Sequence, residues 1–327
     1  MDDSLLCIED LSIGIRKDKQ LLYAVEEISF KIKAGEILGI VGESGCGKSL
    51  TALSILGLLP KDVSIAGGSI VFDKKDISSV KRAELNKIQG EDISIIFQDT
   101  MTSLNPLMKI GKQIGEVLLL HKKMPRKEIK KEVLGILNKV GIKEAERCYN
   151  SYPHQLSGGM RQRVGIAMAV ICKPKLLIAD EPTTALDVTT QDQILRLLLQ
   201  IHKEFNMAIL FISHDLGIVK QFCDRVIVMY AGKVVEDGDV NSIFTYPAHE
   251  YTKGLISSIP TRHSKGKRLH FIEGKVPNLN ESKAGCPFAL RCKKASDICL
   301  VEKPPRIILE NNHSVCCHFV DMESEKK

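Results

Sequence analysis

The sequence predicts an α/β fold with a core of parallel strands, and three observations support that prediction. An apolar run at 36–41 precedes a glycine-rich loop and a helical pattern at 50–56 follows it, which makes a strand–loop–helix unit. The runs at 176–179 and 208–212 are apolar throughout, as is typical of parallel strands covered on both faces. With 327 residues, 44% of them hydrophobic, the chain is long enough to bury a sizeable core.

Further elements are predicted along the rest of the chain. Alternating or short apolar runs predict strands at 5–15, 24–33, 69–72, 93–97, 226–230 and 233–236. Apolar residues at three- and four-residue spacing predict helices at 110–121 and 126–140, and Pro125 is suited to open the second helix. Ala231 and Gly232 separate the last two strands, which are therefore predicted to form a hairpin.

The composition is that of an ordinary globular protein, with 26% charged residues and a net charge of +6. The acidic N-terminus lacks the apolar core of a signal peptide, and the longest nearly uncharged apolar stretch, 50–60, is too short to span a bilayer. No basic stripe is interleaved with aromatic residues. We therefore expect an intracellular protein without a membrane anchor of its own and without a nucleic-acid partner.

The loop after the first buried strand carries a complete phosphate-binding motif, G-x-x-x-x-G-K-S. Its residues, followed by the start of the helical pattern, are Gly42, Glu43, Ser44, Gly45, Cys46, Gly47, Lys48, Ser49 and Leu50. Backbone N–H groups of such a loop form a nest for phosphates, and the helix N-terminus adds its positive end. We expect Lys48 to reach the β- and γ-phosphates of ATP and the Ser49 hydroxyl to ligate Mg²⁺. Cys46, near a helix N-terminus and a lysine, is expected to tend toward the thiolate.

Polar side chains follow three of the buried strands. Asp180 and Glu181 end one strand, and we expect the first carboxylate to hold Mg²⁺ or its water and the second to polarise the attacking water. Gln98 follows another strand, and its amide is expected near the metal and the water. His214 follows a third, at the carboxyl end where ligands collect in α/β sheets, and is expected to contact the γ-phosphate.

A second glycine-rich loop, Leu156-Ser157-Gly158-Gly159, runs into a helical pattern at 164–171. Such a loop at the start of a helix is a second anion site. One nucleotide has no obvious use for both loops, whereas two chains arranged head-to-tail could each close the other's site. We therefore expect Ser157, Gly158 and Gly159 to bind the ATP of a partner subunit.

These motifs resemble, in type and in order, those of the ATP-binding subunits of ABC transporters. The motifs are Walker A at 42–49, the Q-loop at Gln98, the signature at 156–159, Walker B at 180–181, the D-loop at 185–187 and the switch histidine at His214. The resemblance implies an ABC-type P-loop ATPase core with an antiparallel β subdomain and an α-helical subdomain, at about 101–172, that contacts membrane subunits. It also implies a dimer that closes on two ATP molecules, with Asp187 at the nucleotide. Ile15 occupies the usual place of the residue that stacks on adenine, and Tyr23 is the nearest aromatic residue.

Several stretches are similar to a narrower group, the oligopeptide, dipeptide and nickel importers. They lie at 97–106, 152–163, 246–260 and in the tail, from Gly285-Cys286-Pro287-Phe288 to Cys317-His318-Phe319. The His-Pro-Tyr-Thr usual in that group occurs here as His249-Glu250-Tyr251-Thr252. We therefore expect an ATPase domain at 1–245 and a small Cys-rich C-terminal extension of the oligopeptide-transporter type at 246–327.

Five of the ten cysteines lie close together near the C-terminus. Cys286, Cys292, Cys299 and Cys317 are spaced C-x5-C-x6-C-x17-C, and four thiolates can hold a 4Fe–4S iron–sulfur cluster or tetrahedral Zn²⁺. The C-x2-C knuckles usual in structural zinc sites are absent, and the resemblance implies the iron–sulfur cluster. Cys316 would be a bystander, although the sequence alone leaves it exchangeable with Cys317. Reduced cysteines without a metal are a further alternative.

The resemblance implies an ATPase subunit that powers the import of dipeptides or oligopeptides. One alternative is nickel or metal-chelate import; another is a soluble ABC ATPase of translation or DNA repair, although those usually carry two cassettes or a long coiled coil. The implied partners are a second related ATPase subunit, two transmembrane permease subunits and, indirectly, an extracellular peptide-binding protein. The implied location is the cytoplasmic face of a prokaryotic cell membrane.

Overall fold

The computed structural model describes residues 4–17, 20–99, 103–184, 186–259, 271–278 and 284–320. The strands in these ranges are β1 (Ser4–Lys17), β2 (Gln20–Lys33), β3 (Ile37–Val41), β4 (Val63–Phe72), β5 (Lys75–Asp76), β6 (Ile93–Ile96), β7 (Leu176–Asp180), β8 (Ala208–Ile212), β9 (Arg225–Tyr230), β10 (Lys233–Asp239), β11 (Arg306–Ile308) and β12 (Ser314–Cys316). The α-helices are α1 (Lys48–Ile55), α2 (Arg82–Ile88), α3 (Ile110–His121), α4 (Arg126–Lys139), α5 (Ala145–Asn150), α6 (Gly158–Val170), α7 (Val188–Phe205), α8 (Leu216–Phe222), α9 (Val240–Thr245), α10 (Glu250–Ser257) and α11 (Asp297–Val301). Each α-helix described here is too short or too polar to cross a membrane.

The chain divides into two compact units. The first contains residues 33–36 and 79–210, and the second contains residues 37–78 together with the described residues before 33 and after 210. The division therefore falls inside β8. This division does not coincide with the domain boundary at 245 that the sequence predicts. The boundary at 245 stays a prediction.

In the described part of the chain, the first unit combines parallel strands with the helices α2 to α7. β6 and β7 pair in parallel, with Ile95 opposite Ile178, and every residue of β7 is buried. This burial on both faces explains why the sequence of β7 is apolar without alternation. In α3 the buried residues Ile110, Ile114 and Leu118 recur every four positions, so one face of the helix packs inward.

The second unit contains an antiparallel sheet and a mixed sheet. The antiparallel sheet has the strand order β2-β1-β4-β5, with β4 antiparallel to both β1 and β5. In the mixed sheet the order within this unit is β11-β12-β10-β9-β3, antiparallel except for the parallel pair β3 and β9. All five residues of β3 are buried. The predicted α/β class and the antiparallel β subdomain are confirmed.

The hairpin predicted near residue 230 is present. β9 and β10 pair antiparallel, with Tyr230 opposite Lys233. Between them Ala231 has φ 46° and Gly232 has φ 85°. Two successive residues with positive φ are typical of the two-residue turns whose twist matches that of the strands they connect.

Two elements begin earlier than the sequence predicts. β4 begins at Val63 rather than 69, because Gly67 and Gly68 interrupt its alternation without ending the strand; the φ of Gly68 is 83°. Helix α6 begins at Gly158 rather than 164, because the Ser157 side chain caps it. Residues 101–102, at the predicted start of the helical subdomain, and the D-loop residue 185 lie outside the described residues.

Candidate active site and cysteine cavity

The phosphate-binding motif forms the loop between β3 and α1 in the second unit. Gly42, Gly45 and Gly47 have φ values of 151°, 81° and 103°, which residues with a side chain rarely adopt. A Cβ on Gly42 would lie 2.2 Å from the carbonyl oxygen of Met229, and a Cβ on Gly47 would lie 2.7 Å from Cγ2 of Val25. Glycine at these two positions therefore lets the loop turn closely against β9 and β2.

Lys48 is the first residue of α1, and its side chain reaches back to the start of the same loop. Its Nζ donates hydrogen bonds to the carbonyl oxygens of Gly42, at 2.7 Å, and Glu43, at 3.1 Å, and the residue is buried. Ser44 and Ser49 are exposed, so the outer side of the loop faces solvent. The loop thus keeps a buried ammonium group close to a side that solvent, and therefore a polyphosphate, can reach. Leu50 lies in α1 and is half-buried.

Cys46 is not the reactive thiol that the sequence predicts. The residue is fully buried, and burial raises the pKa of its thiol above the usual value, although the neighbouring Lys48 ammonium acts in the opposite direction. The prediction was wrong because it counted the lysine and the helix N-terminus but not the loss of solvent around the sulfur.

In the first unit the predicted catalytic carboxylate meets the predicted Q-loop amide. Gln98 follows β6 and Glu181 follows β7, and parallel neighbours end at the same edge of a sheet. Nε2 of Gln98 donates to Oε2 of Glu181 at 3.1 Å, and Oγ1 of Thr184 donates to the same oxygen at 2.9 Å. Glu181 has φ 47°, in the left-handed region, which is strain of the kind found at functional sites. Asp180 is buried at the end of β7.

His214 follows β8 and is exposed in the second unit. The preceding residue, Ser213, donates its N–H to the carbonyl oxygen of Ile40 at 3.2 Å, in the strand that leads into the phosphate loop. Asp215 then caps α8, since its Oδ1 accepts a hydrogen bond from the N–H of Gly217 at 2.8 Å. The histidine therefore follows a buried strand, as the sequence predicts, and that strand ends beside β3; its contact with the γ-phosphate stays a prediction.

The second glycine-rich loop is the capped N-terminus of α6. The hydroxyl of Ser157 accepts a hydrogen bond from the N–H of Met160 at 3.3 Å, and Gly158 and Gly159 form the first turn. Ser157 and Gly158 are exposed and Gly159 is partly exposed. The loop therefore presents the positive end of a helix to solvent, where a second molecule could reach it.

A contact that the sequence does not predict connects this helix with the segment that follows β7. Gln162, which is buried in α6, donates a hydrogen bond from Nε2 to the carbonyl oxygen of Pro182, the residue after Glu181. The two residues are 20 positions apart, and no local pattern connects them. The signature helix is thus linked directly to the backbone that carries the proposed base.

Asp187 caps helix α7 in this structure. Its carboxylate accepts hydrogen bonds from the N–H of Thr190 at 2.9 Å and from Oγ1 of the same residue at 2.7 Å, and these bonds lower the pKa of Asp187. Among the residues considered for adenine, Tyr23 lies on β2 with 43% of its surface exposed, and Ile15 lies on β1 and is half-buried.

Four C-terminal cysteines line one small cavity in the second unit. They are Cys286, Cys292, Cys299 and Cys317, and the cavity is closed by His249, Phe288, His318 and Phe319, among others. Burial raises the pKa of the Cys286 thiol to about 11, and the other three cysteines act in the same direction. Cys316 lies in β12 and lines a different cavity. The fold therefore distinguishes Cys316 from Cys317, which the sequence alone leaves exchangeable.

The prediction of a metal centre at these cysteines is not supported in the form expected from the sequence. Across the described ranges, no group of three or more His, Cys, Asp or Glu side chains is placed where it could hold a metal ion. Cys286, Cys292, Cys299 and Cys317 line one cavity, but among the described residues they do not form a group that could hold a metal ion such as tetrahedral zinc. All ten cysteines fall within the described residues, and none forms a disulfide.

The comparisons with known proteins agree with the sequence motifs. Residues 25–184 match the ABC transporter family, and residues 235–299 match the family described as the oligopeptide/dipeptide transporter C-terminal region. The chain is 47% identical over 324 residues to the dipeptide transport ATP-binding protein DppD of Bacillus subtilis, covering 99% of this chain and 97% of that one. It is 48% identical over 302 residues to the oligopeptide transport ATP-binding protein OppD of Escherichia coli, covering 92% and 89% respectively.

Solved structures give the same answer for the fold. The dimeric, post-hydrolysis structure of the ATP-binding cassette MJ0796 with ADP and Pi matches with a TM-score of 0.65 and 29% identity, over 72% of this chain and 98% of that one. The structure of cbiO1 from Clostridium perfringens, part of the ABC transporter complex cbiONQ, matches with a TM-score of 0.65 and 32% identity, over 75% and 92%.

Proposed function

Because the chain belongs to the ABC transporter family, as an ATP-binding subunit of the oligopeptide and dipeptide importers, we propose which of its residues carry out the ATP hydrolysis that powers peptide import. Residues 42–50 bind the phosphates, and Lys48 neutralises the β- and γ-phosphates. Ser49, Gln98 and Asp180 would hold Mg²⁺, which would offset the charge that develops on the phosphates. Tyr23 is the aromatic residue proposed to stack on the adenine.

Glu181 is the general base in this proposal, and Gln98 and His214 orient the water and the γ-phosphate. The observation that supports it most directly is the 3.1 Å hydrogen bond between Gln98 and Glu181, at the ends of two adjacent parallel strands. A carboxylate held by a neighbouring amide is oriented before any water arrives. Orientation of this kind reduces the entropy that the reaction must otherwise lose.

An ABC ATPase of a peptide importer works as a dimer on membrane permeases. We propose that Ser157, Gly158, Gly159 and Asp187 close the ATP site of the partner, and that the partner is a second, related ATPase chain. The exposed glycine turn of α6 and the dimeric state named for MJ0796 support this arrangement. The helical subdomain at about 101–172 contacts two permease subunits at the cytoplasmic face of the membrane, and an extracellular protein delivers the peptide. The ATPase domain spans 1–245 and the C-terminal extension 246–327.

The proposed function is tested by purifying the complex from detergent-solubilised membranes through a tag on this chain. We expect co-purification with two polytopic subunits and ATPase activity that rises when peptide and its binding protein are added to proteoliposomes. Uptake of a nickel chelate without uptake of peptides would contradict the cargo. Recovery with ribosomes or DNA, without polytopic subunits, would contradict the transport role.

For the cysteine cavity we propose a 4Fe–4S cluster held by Cys286, Cys292, Cys299 and Cys317. In such a cluster each of four irons takes one thiolate, so the ligands surround a cavity and do not meet at a single ion. The observation that supports this ligand set is that all four cysteines line one cavity. The group would stabilise a tail with few apolar residues of its own.

The cluster proposal is tested by anaerobic purification. We expect brown protein with broad absorption at about 400 nm, lost in Cys317→Ser and kept in the matched control Cys316→Ser. Colourless protein with stoichiometric zinc would contradict the cluster, and equal loss of colour in both variants would contradict the choice of ligand.

A further inference from the structure

The phosphate loop is held by a residue of the C-terminal tail. Nη1 of Arg291 lies 2.6 Å from Oε2 of Glu43, and Nη2 lies 3.1 Å from Oε1. The pair is therefore bidentate, which is the strongest geometry for a guanidinium and a carboxylate. Only 5% of the Arg291 side chain and 29% of the Glu43 side chain are exposed. The two residues are separated by 248 positions in the chain, and both belong to the second unit.

Arg291 is fixed from its other sides as well. Its Nε donates to the carbonyl oxygen of Glu273 at 2.8 Å, and its Nη2 donates to that of Ile272 at 3.1 Å. Its Nη1 also donates to the hydroxyl of Tyr230 at 3.2 Å, and the guanidinium lies 5.7 Å from the centre of that ring. A guanidinium that is bonded on all its edges has few alternative positions, so the ion pair with Glu43 is oriented by the tail.

The backbone of Glu43 is held by the same C-terminal region. The hydroxyl of Tyr251, in α10, accepts a hydrogen bond from the N–H of Glu43 at 2.9 Å. Tyr251 is fully buried and packs on Tyr230 and Phe288, with ring centres 4.7 Å and 5.4 Å away. Phe288 also lines the cysteine cavity. A continuous set of contacts therefore connects that cavity with the phosphate loop.

A carboxylate in a loop that binds a polyphosphate is electrostatically unfavourable unless a cation neutralises it. We propose that Arg291 is a positioning residue for ATP binding: it neutralises Glu43 and, together with Tyr251, holds the phosphate loop, so the affinity for ATP depends on the folded segment 286–292. This inference rests on the proposed nucleotide site at residues 42–50. Because such coupling is reciprocal, ATP binding must in turn stabilise the segment 286–292.

The direct test measures the Kd for ATP in the full chain by displacement of a fluorescent nucleotide. We expect Arg291→Gln to raise this Kd about tenfold, which corresponds to about 1.4 kcal/mol. Adding Glu43→Gln to that variant should restore the Kd to within about threefold of wild type, because the unpaired carboxylate is gone. Arg291→Lys keeps the charge but loses the bidentate fork, so its Kd should lie between those of wild type and Arg291→Gln.

The matched control is Arg306→Gln, which also removes an arginine of the tail. Arg306 donates hydrogen bonds to Ser314 and Asp237. Within the described part of the chain, none of its hydrogen bonds goes to the phosphate loop. The Kd of Arg306→Gln for ATP should equal that of wild type. An unchanged Kd in Arg291→Gln, or a double variant no better than Arg291→Gln, would overturn the inference. If Arg291→Gln does not fold, Tyr251→Phe decides: it removes only the hydroxyl that accepts a hydrogen bond from the N–H of Glu43, so we expect the Kd to rise about threefold, and an unchanged Kd would overturn the inference.

Two further measurements separate this inference from the proposed function. Lys48→Ala should abolish ATP binding; if it binds ATP like wild type, the proposed nucleotide site is wrong. If Lys48→Ala loses ATP binding while Arg291→Gln binds ATP like wild type, only the inference fails.

Hydrogen exchange tests the reverse effect, that ATP stabilises the segment 286–292. ATP should slow exchange of the amides at 286–292 in wild type but not in Arg291→Gln. Equal protection in both proteins would contradict the coupling.

Discussion

Oε2 of Glu181 accepts a hydrogen bond from Nε2 of Gln98 at 3.1 Å, across the carboxyl ends of two parallel strands. The hydroxyl of Thr184 donates to the same oxygen at 2.9 Å. Two donors on one oxygen orient the carboxylate.

Replacing Glu181 with Gln should separate hydrolysis from binding. The amide keeps the size of the side chain but cannot take a proton from water, so we expect kcat to fall by at least about a hundredfold. ATP binding should be retained and the dimer should accumulate in its closed form, as measured by size-exclusion chromatography with ATP and Mg²⁺. Thr184→Val, which removes one donor but not the base, is the control and should retain measurable turnover. Normal turnover in Glu181→Gln would exclude this residue as the base.

Two glycines of the phosphate loop should differ in their tolerance of alanine. At Gly42 a Cβ would lie 2.2 Å from a backbone oxygen and φ is 151°, so Gly42→Ala should lower the free energy of unfolding by about 3 kcal/mol. At Gly45 φ is also positive, but nothing lies within 4 Å, so Gly45→Ala should cost only about 1 kcal/mol. Urea unfolding of the two variants measures the difference. Equal losses would show that the close contact with β9 is not what requires glycine.

Cys46 should resist alkylation in the native protein. The thiol is fully buried and burial raises its pKa, so little thiolate is present or accessible at neutral pH. We expect iodoacetamide at neutral pH to leave Cys46 unmodified whether or not ATP is present, as mapped by mass spectrometry. The same residue in denatured protein is the control and should react fully. Rapid native labelling that ATP prevents would contradict the burial.

Two substitutions at Asp187 should distinguish its role as a helix cap from a role at the nucleotide. Asp187→Ala removes the cap of α7 and should lower the free energy of unfolding by about 1 kcal/mol, whereas Asp187→Ser keeps a capping oxygen and should cost little. If the carboxylate also acts at the nucleotide of a dimer, both variants should lose ATPase activity to the same degree. Full activity in Asp187→Ser would restrict the residue to capping.

The sequence predicted the elements that depend on local pattern. The strands β3, β7 and β8 are recognisable because burial on both faces requires unbroken apolar runs. The meeting of Gln98 and Glu181 could be anticipated, since residues that follow parallel strands come out at one edge of a sheet. The start of α6 could not be placed from its apolar spacing, because a Ser157 cap and two glycines precede the periodic part.

The ionisation of Cys46 was predicted in the wrong direction for a related reason. Its sequence neighbours, a lysine and a helix start, are visible in the chain, but the packing that removes solvent from the sulfur is not. The choice between Cys316 and Cys317 likewise needed the fold. Adjacent residues of an extended chain point to opposite sides, and only one of these two lines the cavity of the other cysteines.

By itself the sequence determined the α/β class, the phosphate loop and the order of the ATPase motifs, because each depends on residues that are close in the chain. Only the tertiary structure decided that Glu43 of that loop is paired with Arg291 and bonded to Tyr251. It alone decided that Gln162 bonds the backbone after Glu181. These contacts join residues that are distant in sequence, and their geometry follows from how the whole chain packs, which no local pattern records.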